Sequence, residues 1–242
     1  KLPLYRYQPQ RHQYHWKVAP GRGHAHIHLL HNTPQTAHLL PLKSYEIYPY
    51  PVSVPVRHWS NFSYSFYFRG AKLLQIEDNT KFEKKLHDYG ASWRILRPSS
   101  LTDQLYIKAK RIRSLEIKKE SLVGEGIRPE FIALINYGII GLIQLEKPFV
   151  DEVDMTPEEA MKLYDLHAKE ALELMLKKNH DYDEAWRSMR VSSYTDFILT
   201  KIQRVKEIED NAGATLVSEG IDANYMDIIN YAVFGAIKMS EK

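Results

Sequence analysis

Thirty residues from His87 to Glu116 recur, 93 positions later, from His180 to Glu209, with 13 identities between the two copies. The first reads HDYGASWRILRPSSLTDQLYIKAKRIRSLE and the second HDYDEAWRSMRVSSYTDFILTKIQRVKEIE. After a one-residue insertion the match resumes at an offset of 94, pairing EGIRPEFIALINYGIIGLI from Glu125 with EGIDANYMDIINYAVFGAI from Glu219. Such a repeat is a duplicated supersecondary unit, and two copies of one unit are expected to pack about a pseudo-twofold axis, as the subunits of a homodimer do. A functional site is then expected where the halves meet.

The periodicity within each copy is helical. Ile198, Ile202, Val205 and Ile208 recur at the spacing of one buried helix face, and Leu101, Leu105, Ile112 and Leu115 do the same in the first copy. The serine pairs Ser99-Ser100 and Ser192-Ser193 are expected to cap these helices. Upstream, IEDNTKFEKKL has helical character and runs into His87-Asp88-Tyr89-Gly90, where the glycine can end the helix in a left-handed conformation; Asp183 stands in its place in the second copy. Thr156-Pro157-Glu158-Glu159 is a capping box opening a helix of about 20 residues. The last helix of each copy, near Pro129 to Leu145 and Ala223 to Met239, is apolar nearly all round, which implies burial among other helices. Pro129 suits a first turn and Asp222 an N-cap. The class is all-α. Repeat 1 is expected over residues 76–146, a linker over 147–156 and repeat 2 over 157–240, packed as one domain.

Residues 1–70 differ in kind. They crowd Tyr, His and Pro without a helical or strand period, and eight of the 11 histidines precede residue 59. Residues 1–76 also carry nine of the 33 Lys and Arg against one acid, Glu46, whereas the rest carries 24 basic against 29 acidic residues. The sequence pI of 8.8 therefore reflects the leader and gives no ground for expecting the repeats to bind a nucleic-acid polymer. The chain opens on Lys1 and its first methionine is Met155, so the leader is expected to be irregular or disordered and need not be native coding sequence. Its ladder His24, His26, His28 and His31 has the spacing of a metal tract but no acidic context. The run NFSYSFYF has strand propensity. With no cysteine, there is no disulfide framework or thiolate site, and with no apolar run of membrane length a cytoplasmic protein is the expectation.

Lys108 and Arg111, like Lys201 and Arg204, stand at i and i+3 on one helix face. They read either as cationic clamps for phosphate oxygens or as partners of Asp103/Asp196 and Glu116/Glu209. Glu219, Asp222 and Asp227 cluster around the start of the last helix, and Glu170 and Glu173 lie at i and i+3 on the long one. Carboxylates gathered from two helices can hold Mg²⁺; the alternative is that Asp222 caps and Glu170 and Glu173 face water. In the first copy Arg128 and Ala133 replace Asp222 and Asp227, so that half is expected to be the degenerate one. His180 and Asp181 could act as base and orienter or shape the turn, and Trp93 and Trp186 could be core anchors or a base-stacking surface.

These segments together resemble a bacterial family described as a nucleotide modification associated domain, placed near the MazG-like all-α NTP pyrophosphatases. The resemblance covers about residues 80–240. It implies Mg²⁺-dependent cleavage of a nucleoside triphosphate, modified or not, to monophosphate and pyrophosphate. Asp181 and Tyr182 match the DY of the family's DYG motif, Lys201 and Arg204 its basic pair, and Glu219, Asp227, Asn230 and Tyr231 its acid-to-DxxNY segment. Glu170/Glu173 with Glu219/Asp222 match the pyrophosphatases' E-x-x-E and E-x-x-D. The implied roles are catalysis for Asp181 and Asp227, phosphate binding for Lys108, Arg111, Lys201, Arg204, Asn230 and Tyr182, and metal binding for Glu170, Glu173, Glu219, Asp222 and Asp227. A homodimer is one assembly open to such a chain, whose oligomeric state the sequence does not fix. The other reading is a non-catalytic nucleotide-binding module whose metal site has degenerated.

Overall fold

A computed structural model describes residues 79–213 and 219–240, with side chains from Phe82 onward. The leader, its histidine ladder and the NFSYSFYF run lie outside the described residues. Six α-helices follow in order among the described residues: α1 (Asn79–Tyr89), α2 (Pro98–Lys118), α3 (Arg128–Glu146), α4 (Pro157–Asp181), α5 (Val191–Asp210) and α6 (Ile221–Ser240). Among the described residues there is no strand. Single 3₁₀ turns, Ser92–Ile95 and Ala185–Ser188, carry Trp93 and Trp186 into the core. Both tryptophans are thus anchors; Trp186 stacks on Phe234 with centroids 4.9 Å apart.

Local sequence explains most boundaries. The Thr156 hydroxyl accepts from the Glu159 N–H and the Glu159 carboxylate from the Thr156 N–H, the reciprocal bonds of a capping box. After α1, Gly90 sits at φ +67°, and Asp183 matches it at φ +47° after α4. The serine caps are not used. Arg97 and Arg190 are the cap residues of α2 and α5 and make no side-chain cap bond, so both helices start one or two residues before the serines. Asp222 lies inside the first turn of α6, exposed, where its charge favours the positive end of the helix dipole.

The apolar helices α3 and α6 cross at the centre, and the crossing is reciprocal. A β-carbon on Gly141 would meet the Tyr225 ring at 2.7 Å, and one on Gly235 would meet the Phe131 ring at 2.6 Å. Gly141 and Gly235, and Phe131 and Tyr225, are each repeat mates, so each helix offers a glycine groove to the other's ring. Alongside, α2 and α5 exchange two further pairs. Thr102 donates to Glu209 at 2.7 Å and Thr195 to Glu116 at 3.0 Å; Lys206 holds Asp103 at 2.7 Å and Arg113 holds Asp196. All four obey the 93-residue offset, which is the pseudo-twofold axis written in hydrogen bonds. Conserving Thr, Asp and Glu in both copies conserves this seam.

The linker is held from within. Arg94, 2% exposed, reaches both Asp154 carboxylate oxygens, Gln144 and the carbonyls of Lys147 and Pro148. Gln144 in turn donates to the Leu96 carbonyl at 2.9 Å, as its mate Lys238 donates to that of Met189.

Candidate functional site

In each repeat a lysine of the second helix's basic pair meets a buried carboxylate from the last helix. In repeat 1, Glu130, 4% exposed, is bound by Arg111 and lies 3.3 Å from Lys108, with Glu125 3.6 Å from Arg111. In repeat 2, Asp227, 8% exposed, lies 2.7 Å from Lys201 of α5 and 2.5 Å from Lys178 of α4. The pairs do not reach Asp103/Asp196 or Glu116/Glu209, because the repeat seam already occupies those acids. Repeat 1 has not simply lost its carboxylate, either. Glu130 is the mate of Asn224 and Ala133 the mate of Asp227, so the acid sits three residues, about one turn, earlier on the same helix face.

Electrostatics follow this geometry. Burial alone would raise the Asp227 carboxyl, but its bonds and charge contacts with Lys178 and Lys201 win and hold it below the usual carboxylate range. Burial works against charged Lys201, yet Asp227 and the neighbouring Glu219 push its pKa up. Tyr231 is raised, by burial first and then by the Asp227 charge.

A cavity of about 380 Å³ opens in repeat 1 between α1, the Ser92–Ile95 turn and α3. Tyr89 and Tyr137 supply aromatic faces, Lys85, Lys108 and Arg128 supply positive charge against the carboxylates of Glu125 and Glu130, and Asn136 lies in its wall. Its size is that of a small-ligand site. Ala133, also in the wall, leaves space; at the matching position of repeat 2, Asp227 extends to the two lysines. The half expected to be degenerate therefore holds the cavity. A broader groove of about 1100 Å³ between the end of α2 and the start of α5 mixes both signs, with Arg113 and Lys119 beside Glu116 and Glu120.

The remaining expected site residues scatter. Asp181 and Tyr182 are exposed at the end of α4, with His180 3.2 Å from Asp181. Glu170 bonds His167 at 2.8 Å, while Glu173 is 4.0 Å from Lys169; both face solvent. Eight residues separate Glu170 from Lys178, about 12 Å along the helix. Glu219 and Asp222 are exposed, and Arg204 bonds Glu207 at 3.2 Å. Among the described residues no three His, Asp or Glu side chains gather as metal ligands do. Asn230 is buried without a hydrogen-bond partner among the described residues, while its mate Asn136 accepts from the Tyr164 hydroxyl at 2.6 Å. Sequence reasoning did not single out Lys85, Arg128, Glu130, Tyr137 or Lys178. The signal available for Glu130 was the swap of acid and non-acid at positions one turn apart between the copies.

Fold and clefts define the class: an all-α pseudo-dimer of two tandem helical units, each pairing a buried carboxylate with a cationic helix face. The family model of Nucleotide modification associated domain 1 matches the chain twice, over residues 85–145 and 178–239, and the protein belongs to that family. The two matches begin 93 and end 94 residues apart, reproducing the repeat register. None of the curated proteins and none of the solved structures matches the chain.

Proposed function

We propose that this protein binds a nucleoside phosphate in the cavity of repeat 1. The observation that carries the reading is the composition of that wall: Lys85, Arg128 and the Glu130-paired Lys108 outnumber the carboxylates Glu125 and Glu130, beside the rings of Tyr89 and Tyr137, around a volume of about 380 Å³. Cations meet phosphate oxygens, with arginine able to bind two at once, and aromatic faces stack on a base without regard to its identity. The family's name, with its reference to nucleotide modification, agrees with such a ligand.

Cleavage to monophosphate and pyrophosphate is the reaction the resemblance implies, and it requires Mg²⁺ held by several carboxylates. The side chains present do not fit that group: Asp227 is engaged by two lysines, and Glu170, Glu173 and Asp222 point elsewhere into solvent. Binding without turnover is therefore the reading the geometry supports, and the pyrophosphohydrolase is its alternative.

Calorimetric titration with the four canonical deoxynucleoside triphosphates and modified analogues, with and without Mg²⁺, tests it alongside an assay of pyrophosphate release. Binding that Lys85→Glu weakens at least tenfold, without pyrophosphate release, is the expected result. Release that depends on Mg²⁺ would return the protein to the pyrophosphohydrolases.

A further inference from the structure

We propose that repeat 2 holds a second nucleoside-phosphate site, closed in this conformation by Asp227 and completed, when filled, by the buried carboxamides of Asn179 and Asn230. The proposal rests on the reading of the repeat 1 cavity as a nucleotide site. Two positions in that cavity's wall, Leu86 and Asn136, have Asn179 and Asn230 as their mates. Asn230 is 4% exposed and Asn179 8% exposed. Both polar atoms of the Asn230 side chain and the Asn179 amide nitrogen have no hydrogen-bond partner among the described residues.

A buried polar group left unsatisfied is costly, and natural proteins rarely keep one without cause. Repeat 1 shows that neither position requires it. Leucine serves at 86, and Asn136 has its Tyr164 partner. A carboxamide offers a donor and an acceptor together, the pattern that a nucleobase edge complements. Around these two lie the other parts of a nucleotide site. Lys178 and Lys201 approach one point from different helices, and Tyr231 offers a ring that packs on Phe197 at 5.3 Å. At that point the Asp227 carboxylate stands where a phosphate oxygen would, so the site carries its own anion. Incoming phosphate competes with Asp227 for both ammonium groups, whereas in repeat 1 Glu130 holds Lys108 but the wall adds Lys85 and Arg128, so repeat 2 is the weaker site.

The test is calorimetric titration of the full chain with the same four deoxynucleoside triphosphates. Two binding events are expected in the native protein. Lys85→Glu weakens the tighter one only. Asp227→Asn, which removes the competing charge, tightens the second about tenfold, and Asn230→Leu abolishes the second while raising the melting temperature, since it removes an unsatisfied buried amide. A single event in both native and Asp227→Asn protein, sensitive to Lys85→Glu, overturns the second site and leaves the first standing. A single event lost in Asn230→Leu but indifferent to Lys85→Glu supports the second site and overturns the first. No event in any variant overturns both. A lower melting temperature in Asn230→Leu with the second event intact shows that the asparagine is a structural group with another partner, and overturns the role given to it here.

Discussion

At the scale of single residues the protein is governed by where each carboxylate finds its cation. Glu130 and Asp227 perform one task from positions a helical turn apart, the longer side chain in one copy and the shorter in the other. Glu130→Ala leaves Lys108 and Arg111 facing each other with Glu125 alone to screen them. Because both cations keep some solvent, the loss is expected to be about 2 kcal/mol, less than for a fully buried pair, read from the midpoint of urea denaturation. Replacing Glu130 by Asn together with Ala133→Asp copies repeat 2 and is expected to restore at least half of that loss. The seam glutamates respond to pH in the opposite sense to Asp227. Burial raises the carboxyls of Glu116 and Glu209, against the hydrogen bonds from Thr195 and Thr102 that lower them. A raised acid contributes stability that is present below its unfolded pKa, about 4.3, and lost as pH rises through the folded value. The double variant Glu116→Gln, Glu209→Gln keeps the threonine bonds and is expected to be the more stable protein at pH 7, with the difference closing below about pH 4. Asp227, held low, contributes stability above about pH 3.9 that is lost as pH falls through its depressed value. The advantage of native protein over Asp227→Asn is therefore expected to shrink on acidification, measured by denaturation across that range.

Elements meet through two devices, the glycine grooves of α3 and α6 and the Arg94 clasp. An exposed Gly→Ala change in a helix gains about 1 kcal/mol of propensity. At Gly141 the new methyl meets the buried Tyr225 ring at 2.7 Å, and overpacking of that kind costs about 1–3 kcal/mol. The clash wins, and Gly141→Ala and Gly235→Ala are each expected to lower the melting temperature, by similar amounts because the crossings are mates. Arg94→Met strips the linker of its side-chain donors and leaves Asp154, whose carboxyl the arginine bond holds low, without its partner. Faster proteolysis within residues 147–156, together with a lower denaturation midpoint, is the expected outcome of limited digestion and denaturation. The helices themselves were legible in the sequence, since capping box, proline at the first turn and apolar spacing are local signals. The 3₁₀ turns and the clasp were not. Arg94 and Asp154 are 60 residues apart in the chain, and nothing in the spacing says that they touch.

For the molecule as a whole, the reciprocal seam means that neither repeat buries its apolar helix without the other. Heating the full chain is expected to melt the two repeats in one cooperative transition, with calorimetric and van 't Hoff enthalpies equal for that transition; two separate peaks would show that the repeats fold independently. Among the described residues no helix is long and apolar enough to cross a membrane, and the apolar α3 and α6 bury their faces against each other. The sequence by itself determined the duplication, its register, the all-α class and the family, because each is carried by identities and periods that neighbouring residues express. Only the tertiary structure decided which buried acid meets Lys108 and which meets Lys201, that Thr102, Asp103 and Glu116 with their mates form the seam, and that the open cavity lies in repeat 1. Those outcomes depend on which helices lie side by side and on the room one methyl group leaves at Ala133. Such distances across the fold leave no periodic trace along the chain.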